Sequence, residues 1–584
     1  MEQFPKDKVY EINMKDIENV ANSLYVRDYY LKDFKYLSPD VINMKTNKVF
    51  TKVETDGFCK KVDCRHIIRK WFNEVMEGWK QFLYEGSLHG VKYIFEPTFS
   101  RKERVTWIII VVISIFICTG VIIQLFSKSS STPFVNVIDS LPTPIWAVPF
   151  PSVVICPHLH VQLSYKNVTE LEDLQKFFAS RICPQMMRDS IVKEGRLSSD
   201  EIHMLQDFIV KASPKCKDVV KLCHWRSIDQ HTHWKSEECC DTFFKSIFTN
   251  YGLCFTFNSL PLNGMSNETI HWQQSFSPNV TPAKIKWNLD DGYPKVFPPD
   301  QTTLPFRVMA SGETNGLGLD LFLNTSEHQF ACDGSSIGFN VIIRSPTDHV
   351  YTSTVLRLPM ERMTTIEVNP ITYKTDANLR QLSPDRRQCF FQNERKLFYY
   401  EFYTDSNCKF DLLLREAVKV CKCVLYNWPR KFVSDPVCST AVDFNCINSV
   451  KAKVEEQLIY AYYDDSEEQR KPKSTSTSCH PSCNDFMYSS QVFYSDLIKE
   501  PGNEAPEWGR PKPGEVTRMN VHFYEDMFLG QHRHAQYDDY YFIGAIGGLL
   551  SLFLGFSIIS VAELLYFVVL RPVHAALKET FCQP

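Results

Sequence analysis

The sequence predicts a membrane protein in which two transmembrane helices flank a large disulfide-rich α+β domain. Three observations carry this prediction. There is one long apolar run near each end of the chain. Cysteines crowd the stretch between them. That stretch mixes helix-like and strand-like segments.

The first run is Thr106 to Phe126, TWIIIVVISIFICTGVIIQLF, without a charge. At about 1.5 Å per residue it covers roughly 30 Å, the thickness of a bilayer's hydrocarbon core. About a hundred polar residues before it argue against a cleaved signal peptide. The second run, Tyr541 to Leu570, differs in kind. It holds one carboxylate, Glu563, and the glycines Gly544, Gly547, Gly548 and Gly555. A mere anchor needs neither. Tyr540, Tyr541 and Phe542 at one end and Tyr566 and Phe567 at the other suit interfacial belts.

Orientation follows from charge. Arg101, Lys102 and Arg104 precede the first span, and Arg571, His574 and Lys578 follow the second. The positive-inside rule then puts both termini in the cytosol and residues 127–540 outside. The expected division is 1–105 cytosolic, 106–126 first span, 127–540 external domain, 541–570 second span and 571–584 cytosolic tail. Cysteine usage agrees: 16 of the 20 cysteines fall between residues 156 and 483, the pattern of disulfides in an oxidising compartment. Four glycosylation triplets, at Asn167, Asn267, Asn279 and Asn324, lie on the same side.

Within the external stretch, LPTPIWAVPFPSVVICP reads as extended chain entering a strand. Residues 169–211 and 394–423 read as helical, and GFNVIIRS and VYTSTVLRL as strands. Lys471–Ser478 and Pro501–Pro513 read as loops. A net charge of −4 and the lack of a long basic run exclude a nucleic-acid partner. A hydrophobic share of 44% excludes a disordered chain. Neither a Gly-x-Ser-x-Gly elbow nor a His-Glu-x-x-His helix occurs outside the spans, so no enzyme is expected. His231, His233, His532 and His534 read as surface residues, with the chemistry to tune a pH response.

Specific motifs run in order along nearly the whole chain. They are His89-Gly90; Pro149-Phe150-Pro151-Ser152-Val153 with Cys156; Gly252 to Asn258, GLCFTFN; Arg387-Gln388-Cys389; Asn407-Cys408; Cys421-Lys-Cys423; and Cys479-His-Pro-Ser-Cys483. With the second span, GGLLSLFLGFSIISVAELLYF, they resemble the degenerin/epithelial sodium channel family, which includes the acid-sensing ion channels. Cys223-His-Trp and Cys240-Asp-Thr-Phe-Phe are similar to its insect pickpocket branch. The resemblance implies a homo- or heterotrimer of related subunits in the plasma membrane, with a clenched-hand external domain. It also implies sodium-preferring permeation, block by amiloride and an unidentified external ligand or stimulus. No cofactor is expected beyond permeant sodium.

Gly555-Phe556-Ser557 matches the family's Gly-x-Ser selectivity filter. Sodium is a hard cation, and backbone carbonyls with a serine hydroxyl can replace part of its hydration shell. Phe556 is expected to face neighbouring helices. The bland alternative is a small-residue packing face through Gly544, Gly548, Ser551 and Gly555. Glu563 is expected to face water or a partner, because a carboxylate in hydrocarbon costs a few kcal/mol, about 2.5–3.5 on insertion scales. It reads as a cation-attracting group on the cytosolic side of the filter. Gly544 matches the position where bulky side chains hold degenerins open, and His89-Gly90 the family's cytosolic gating motif. Ser551 departs from the family's usual glycine.

The resemblance also implies disulfides rather than zinc ligands. The implied pairs are Cys156–Cys254, Cys223–Cys240, Cys389–Cys483, Cys408–Cys479, Cys421–Cys446 and Cys423–Cys438. Cys183, Cys216, Cys239 and Cys332 remain, enough for two further bridges of unassigned pairing. One family staple is missing at both ends, where Leu412 and Thr477 stand. The alternative to a pore-forming subunit is a non-conducting or modulatory receptor subunit. Such a protein would keep the cysteines and need neither the Gly-x-Ser triplet nor Glu563.

Overall fold

The computed structural model describes residues 64–187, 191–226, 234–260, 287–295, 304–350, 355–430, 432, 435–463, 479–498 and 512–574. The chain forms two compact units, one of residues 1–119 with 547–584, the other of residues 120–546. Thr477, Asn267, Asn279, His231, His233, Lys578 and most of both expected loops lie outside the described residues.

The larger unit is α+β. Its main sheet has eight strands. The long strand Arg362–Thr375 lies at its heart. It pairs antiparallel with Asp485–Asp496 and parallel with both Val516–Phe523 and Gln531–Ala535. Alternate residues of this strand, from Thr364 to Thr372, are buried, the period of a strand with one face on a core. Its edge strand Phe134–Ile138 pairs antiparallel with Gln531–Ala535. A second sheet of five strands is built around Ser152–Pro157, every residue of which is buried. That strand is the continuation of the proline-rich segment. Phe150, Trp225, Phe255, Phe257, Phe339 and Phe523 fill the core that these sheets share.

A helical lobe stands on a separate core. Helix Asp405–Cys421 packs beside helix Ala441–Tyr463 around Phe410, Leu413, Leu414, Trp428, Ile447 and Val450. The first of these helices is shorter than the sequence predicts. It starts where the Thr404 hydroxyl accepts the Asn407 N–H at 3.1 Å. The preceding aromatic residues fold back, and the Asp411 carboxylate accepts the N–H groups of Phe398 and Tyr399 at 2.9 and 2.8 Å. The predicted helix over 169–211 is broken up too, into Asp173–Ser180, Pro184–Met187 and Ser199–Ala212. Ser198 caps the last of these in a capping box with Glu201. Helix Ala441–Tyr463 has no counterpart in the sequence reading.

Eight disulfides staple the larger unit. The structure joins Cys156 to Cys254, Cys389 to Cys483, Cys408 to Cys479, Cys421 to Cys446 and Cys423 to Cys438. The pair Cys223–Cys240 is corrected: Cys223 bonds Cys239, and Cys240 bonds Cys216. Neighbouring positions of helix Ser236–Phe243 point about 100° apart, so two adjacent cysteines cannot compete for one partner. Cys239 turns inward onto the strand Val220–Trp225 that carries Cys223. Cys240 meets the short helix that begins at Cys216. Cys183 bonds Cys332, tying the helical segment after residue 173 to the turn at Phe330–Asp333. Asn167 and Asn324 each cap a short 3-10 turn and are half-buried, with the Asn167 amide donating to Glu170 at 3.1 Å.

Leu412 stands where the family staple is missing and is 5% exposed within the helical-lobe core. Leu412→Ala should lower stability by about 2–5 kcal/mol through a cavity, read as a lower thermal unfolding midpoint of the purified full chain. A midpoint within experimental scatter of wild type would show that the site contributes no packing. A second prediction concerns pH. Burial pushes the carboxyl groups of Asp348 and Asp485 above the ordinary carboxylate value, and repulsion from Asp405 adds to it. A group that holds its proton more tightly when folded costs stability as pH rises above the unfolded value, about 4. Asp348→Asn should therefore raise the unfolding midpoint at pH 7 and leave it near wild type at pH 4. A lowered midpoint at pH 7 would mean that the ionised form, through its attraction to Arg344, is the one the fold uses.

Candidate functional site: the break in the second apolar helix

Helix Arg101–Ser131 is long and apolar enough to cross a membrane unaided. The second apolar run is not one helix. Asp539–Leu554 and Ile558–His574 meet at a bend of 71°, and the break between them is Gly555, Phe556 and Ser557. These are the three residues that the sequence assigns to a filter.

Local chemistry makes the break. Gly555 has φ +65°, a left-handed conformation that glycine adopts without strain. Its N–H reaches back to the Ser551 carbonyl at 2.9 Å, an αL termination of the upper helix. Ser557 is extended and opens the lower helix Ile558–Leu565. Its hydroxyl oxygen accepts the Ser560 N–H at 3.3 Å, and the Ser557 N–H donates to the Ser560 hydroxyl at 3.1 Å. This reciprocal cap satisfies donors that a helix start would leave orphaned. The lower helix widens to a π-helical turn at Tyr566–Leu570.

The segment before the first span packs against this break. Helix Cys64–Glu85 ends in a turn, Gly86 to Gly90, before the short helix Val91–Phe95. In the turn, the His89 N–H donates to the Leu554 carbonyl at 2.9 Å, taking up an acceptor that the broken ladder releases. The His89 ring lies so close to Gly555 that a Cβ there would sit 2.6 Å from it. The Ser87 N–H donates to the Glu563 carboxylate at 3.0 Å, and the Ser87 and Ser560 hydroxyls are 2.5 Å apart. Ser560 is fully buried and also donates to the Gly555 carbonyl at 3.4 Å. Gly90, at φ +79°, lets the chain turn closely past Val111 of the first span. Further down, Gly78 faces the Phe567 carbonyl so closely that a Cβ would lie 2.1 Å from that oxygen. The Arg571 guanidinium donates to the Gln81 side chain.

The structure thus brings His89, Gly90, Gly555, Phe556, Ser557 and Glu563 into one neighbourhood. Glu563 has a partner there, the Ser87 backbone N–H. Gly544 and Ser551 stand apart on the upper helix. A Cβ at Gly544 would meet nothing within 4 Å. Ser551 joins the break through its backbone alone. Sequence reasoning missed Ser87, Ser560 and Gly78. A signal for the helix carrying Gly78 was present: Trp71, Val75, Trp79 and Phe82 recur at helical spacing, and Phe82 is buried. Nothing in the sequence distinguishes Ser87 or Ser560 from any other serine.

Known proteins match the chain over most of its length. The family model described as "Amiloride-sensitive sodium channel" matches residues 82–567, from the end of helix Cys64–Glu85 to the π-helical turn. Pickpocket protein 28 of Drosophila melanogaster is 25% identical over 517 residues, covering 85% of this chain and 78% of its own length. Sodium channel protein Nach of the same fly is 22% identical over 520 residues, covering 86% and 90%. Acid-sensing ion channel 1A of Danio rerio is 20% identical over 509 residues, covering 83% and 86%. With the match spanning both apolar segments and the whole disulfide-rich unit, the chain belongs to the amiloride-sensitive sodium channel family.

Proposed function

We propose that the chain is a pore-forming subunit of a gated, sodium-preferring, amiloride-sensitive cation channel of the plasma membrane. Three subunits surround the axis, both termini are cytosolic, and the disulfide-rich unit is the external sensor. The observation that carries this reading is the break at Gly555–Ser557. A lipid-facing anchor has no use for a bent, interrupted helix, and non-helical backbone is tolerated at membrane depth only where it lines water or is buried in protein. Backbone carbonyls of the break supply oxygens to sodium. Ser557, whose hydroxyl oxygen already accepts the Ser560 N–H, acts chiefly by fixing where those carbonyls stand. The open glycine face at Gly544, Gly547 and Gly548 suits close approach of neighbouring subunits.

Whole-cell recording tests the reading. Because the natural stimulus is unidentified, Gly544→Phe is included, at the position where a bulky side chain should hold the gate open. Inward current that amiloride blocks, and that disappears when sodium is replaced by N-methyl-D-glucamine, is expected. No current from wild type or Gly544→Phe, alone or with related subunits, at normal surface expression would sink the pore assignment and favour a receptor subunit. Selectivity gives a second prediction. Ser557→Thr keeps an oxygen for the cap and should retain sodium preference over potassium. Ser557→Ala removes a cap worth about 1 kcal/mol and should reduce that preference several-fold. Equal sodium-to-potassium permeability ratios in wild type and Ser557→Ala would remove the break from the selectivity mechanism.

A further inference from the structure

We propose that His532, His534 and Asp376 form a binding site for zinc or a similar late first-row divalent cation, with Asp139 behind them. The two histidines alternate on the strand Gln531–Ala535, so both rings fall on one face. Arg533 between them turns the other way, over the Phe134 ring and onto the Arg387 carbonyl. The two imidazoles stack with centroids 4.2 Å apart and converge on a single carboxylate. His532 Nε2 lies 3.1 Å from Asp376 Oδ1, and His534 Nδ1 lies 2.7 Å from Asp376 Oδ2. One donor atom from each of the three residues falls within 4.8 Å of the others. Zinc bonds of roughly 2.0–2.2 Å in a tetrahedron place ligand atoms about 3.3 Å apart, so the cluster needs little adjustment to close on an ion.

The surroundings have the character of a metal site's outer shell. The other nitrogen of His532, Nδ1, faces Asp139 Oδ1 at 3.5 Å. A carboxylate behind a ligating histidine fixes the ring's tautomer and orientation. Both carboxylate-bearing residues are tied to the histidine strand by backbone bonds, Asp376 N–H to the Arg533 carbonyl at 3.0 Å and Asp139 N–H to the Gly530 carbonyl at 2.8 Å. The Asp139 carboxylate lies close over Gly530, where a Cβ would come within 2.8 Å of Oδ2. The two carboxylates bring negative charge to the cluster, which a divalent cation offsets. Side-chain exposures of 24–43% leave the cluster open to ions from solution. The donors decide the ion class. Imidazole nitrogen with carboxylate oxygen suits zinc, copper, nickel or cobalt, whereas calcium and magnesium call for oxygen throughout.

The position gives binding a consequence. Asp139 directly follows the strand Phe134–Ile138, which the first apolar helix reaches across only Thr132 and Pro133. The histidine strand leads into the second apolar helix across Gln536, Tyr537 and Asp538. An ion in the cluster would clamp these two strands to Asp376, at the end of the central strand Arg362–Thr375. On the channel reading given above, which this consequence alone depends on, zinc would change the current.

The test uses purified full-length protein freed of metal. Wild type should bind one ZnCl2 equivalent per chain at micromolar concentration, measured by competition with a chromophoric chelator. ZnCl2 should also raise its thermal unfolding midpoint by several degrees, and MgCl2 should not. His534→Gln, at the more exposed imidazole, and Asp376→Asn should each weaken that equivalent at least tenfold while keeping the metal-free midpoint near wild type. Absence of zinc binding by wild type at 100-fold higher concentration would overturn the site. So would binding that both variants retain in full. If the variants fold poorly, the wild-type contrast between ZnCl2 and MgCl2 decides alone, and equal or absent shifts overturn the proposal. None of these readings involves current, so failure of the channel assignment and failure of the metal site are separately visible.

Discussion

Hydrocarbon offers no hydrogen bonds, so a helix interrupted inside a bilayer must find partners for the groups its ladder no longer serves. The second apolar run of this chain meets that demand twice. Along its own backbone, Gly555 turns left-handed to close the upper helix, and the Ser557–Ser560 cap opens the lower one. From elsewhere in the chain, the turn Gly86 to Gly90 brings a backbone donor to Leu554, another to Glu563 and a hydroxyl to Ser560. The two sets interlock. The Ser560 hydroxyl serves the cap, the Gly555 carbonyl and Ser87 together, so any one of these groups holds its place because the others hold theirs. A bend held by interlocking bonds is what the proposed ion pathway needs if its oxygens are to stand at fixed separation.

The larger unit solves a different problem. Its buried apolar residues form several separate cores, among them one between the sheets, one in the helical lobe and one around helix Ser199–Ala212. The disulfides close the loops that leave those cores. Cys408–Cys479 and Cys389–Cys483 both reach the turn that starts the strand Asp485–Asp496, so helical lobe and sheet share one anchored corner. Closing a loop of tens of residues removes entropy from the unfolded chain worth roughly 3–5 kcal/mol in the chain-entropy model. At Leu412, where the resemblance implies one staple fewer than in the family, a buried leucine contributes packing of similar size.

How far the sequence reveals all this depends on the range of each interaction. Apolar runs and alternation act over one or two turns, and from them come the two apolar helical runs and the strand after Pro151, whereas the helical reading of 169–211 holds only in pieces. The disulfides need information about pairs, and the resemblance supplied it for five bridges that the structure also forms. It failed at Cys239 and Cys240, where two adjacent cysteines differ only in the helix face they occupy. Helix 394–423 was overextended because the aromatic segment before Asp405 has helical spacing, and its competing partner, the Asp411 carboxylate, lies within the helix itself. The turn at Ser87 bonds residues more than 470 positions away. Asp139 and His532 are nearly as far apart in sequence. No local pattern can announce contacts of that span.

The departure at Ser551 can be weighed on the same grounds. If the pathway's oxygens are main-chain carbonyls, the residues that matter are those fixing backbone angles and backbone partners. Gly555 qualifies through its positive φ and the closeness of the His89 ring, both of which disfavour a side chain. Ser557 qualifies through its cap. Ser551 enters the break only by accepting the Gly555 N–H on its carbonyl, and every amino acid has that carbonyl. Its hydroxyl, on an exposed part of the upper helix, is additional to what the bend requires. A glycine replaced by serine at that position therefore leaves the geometry of the break intact, and on the proposed channel reading any effect on permeation acts through the side chain itself rather than through the shape of the break.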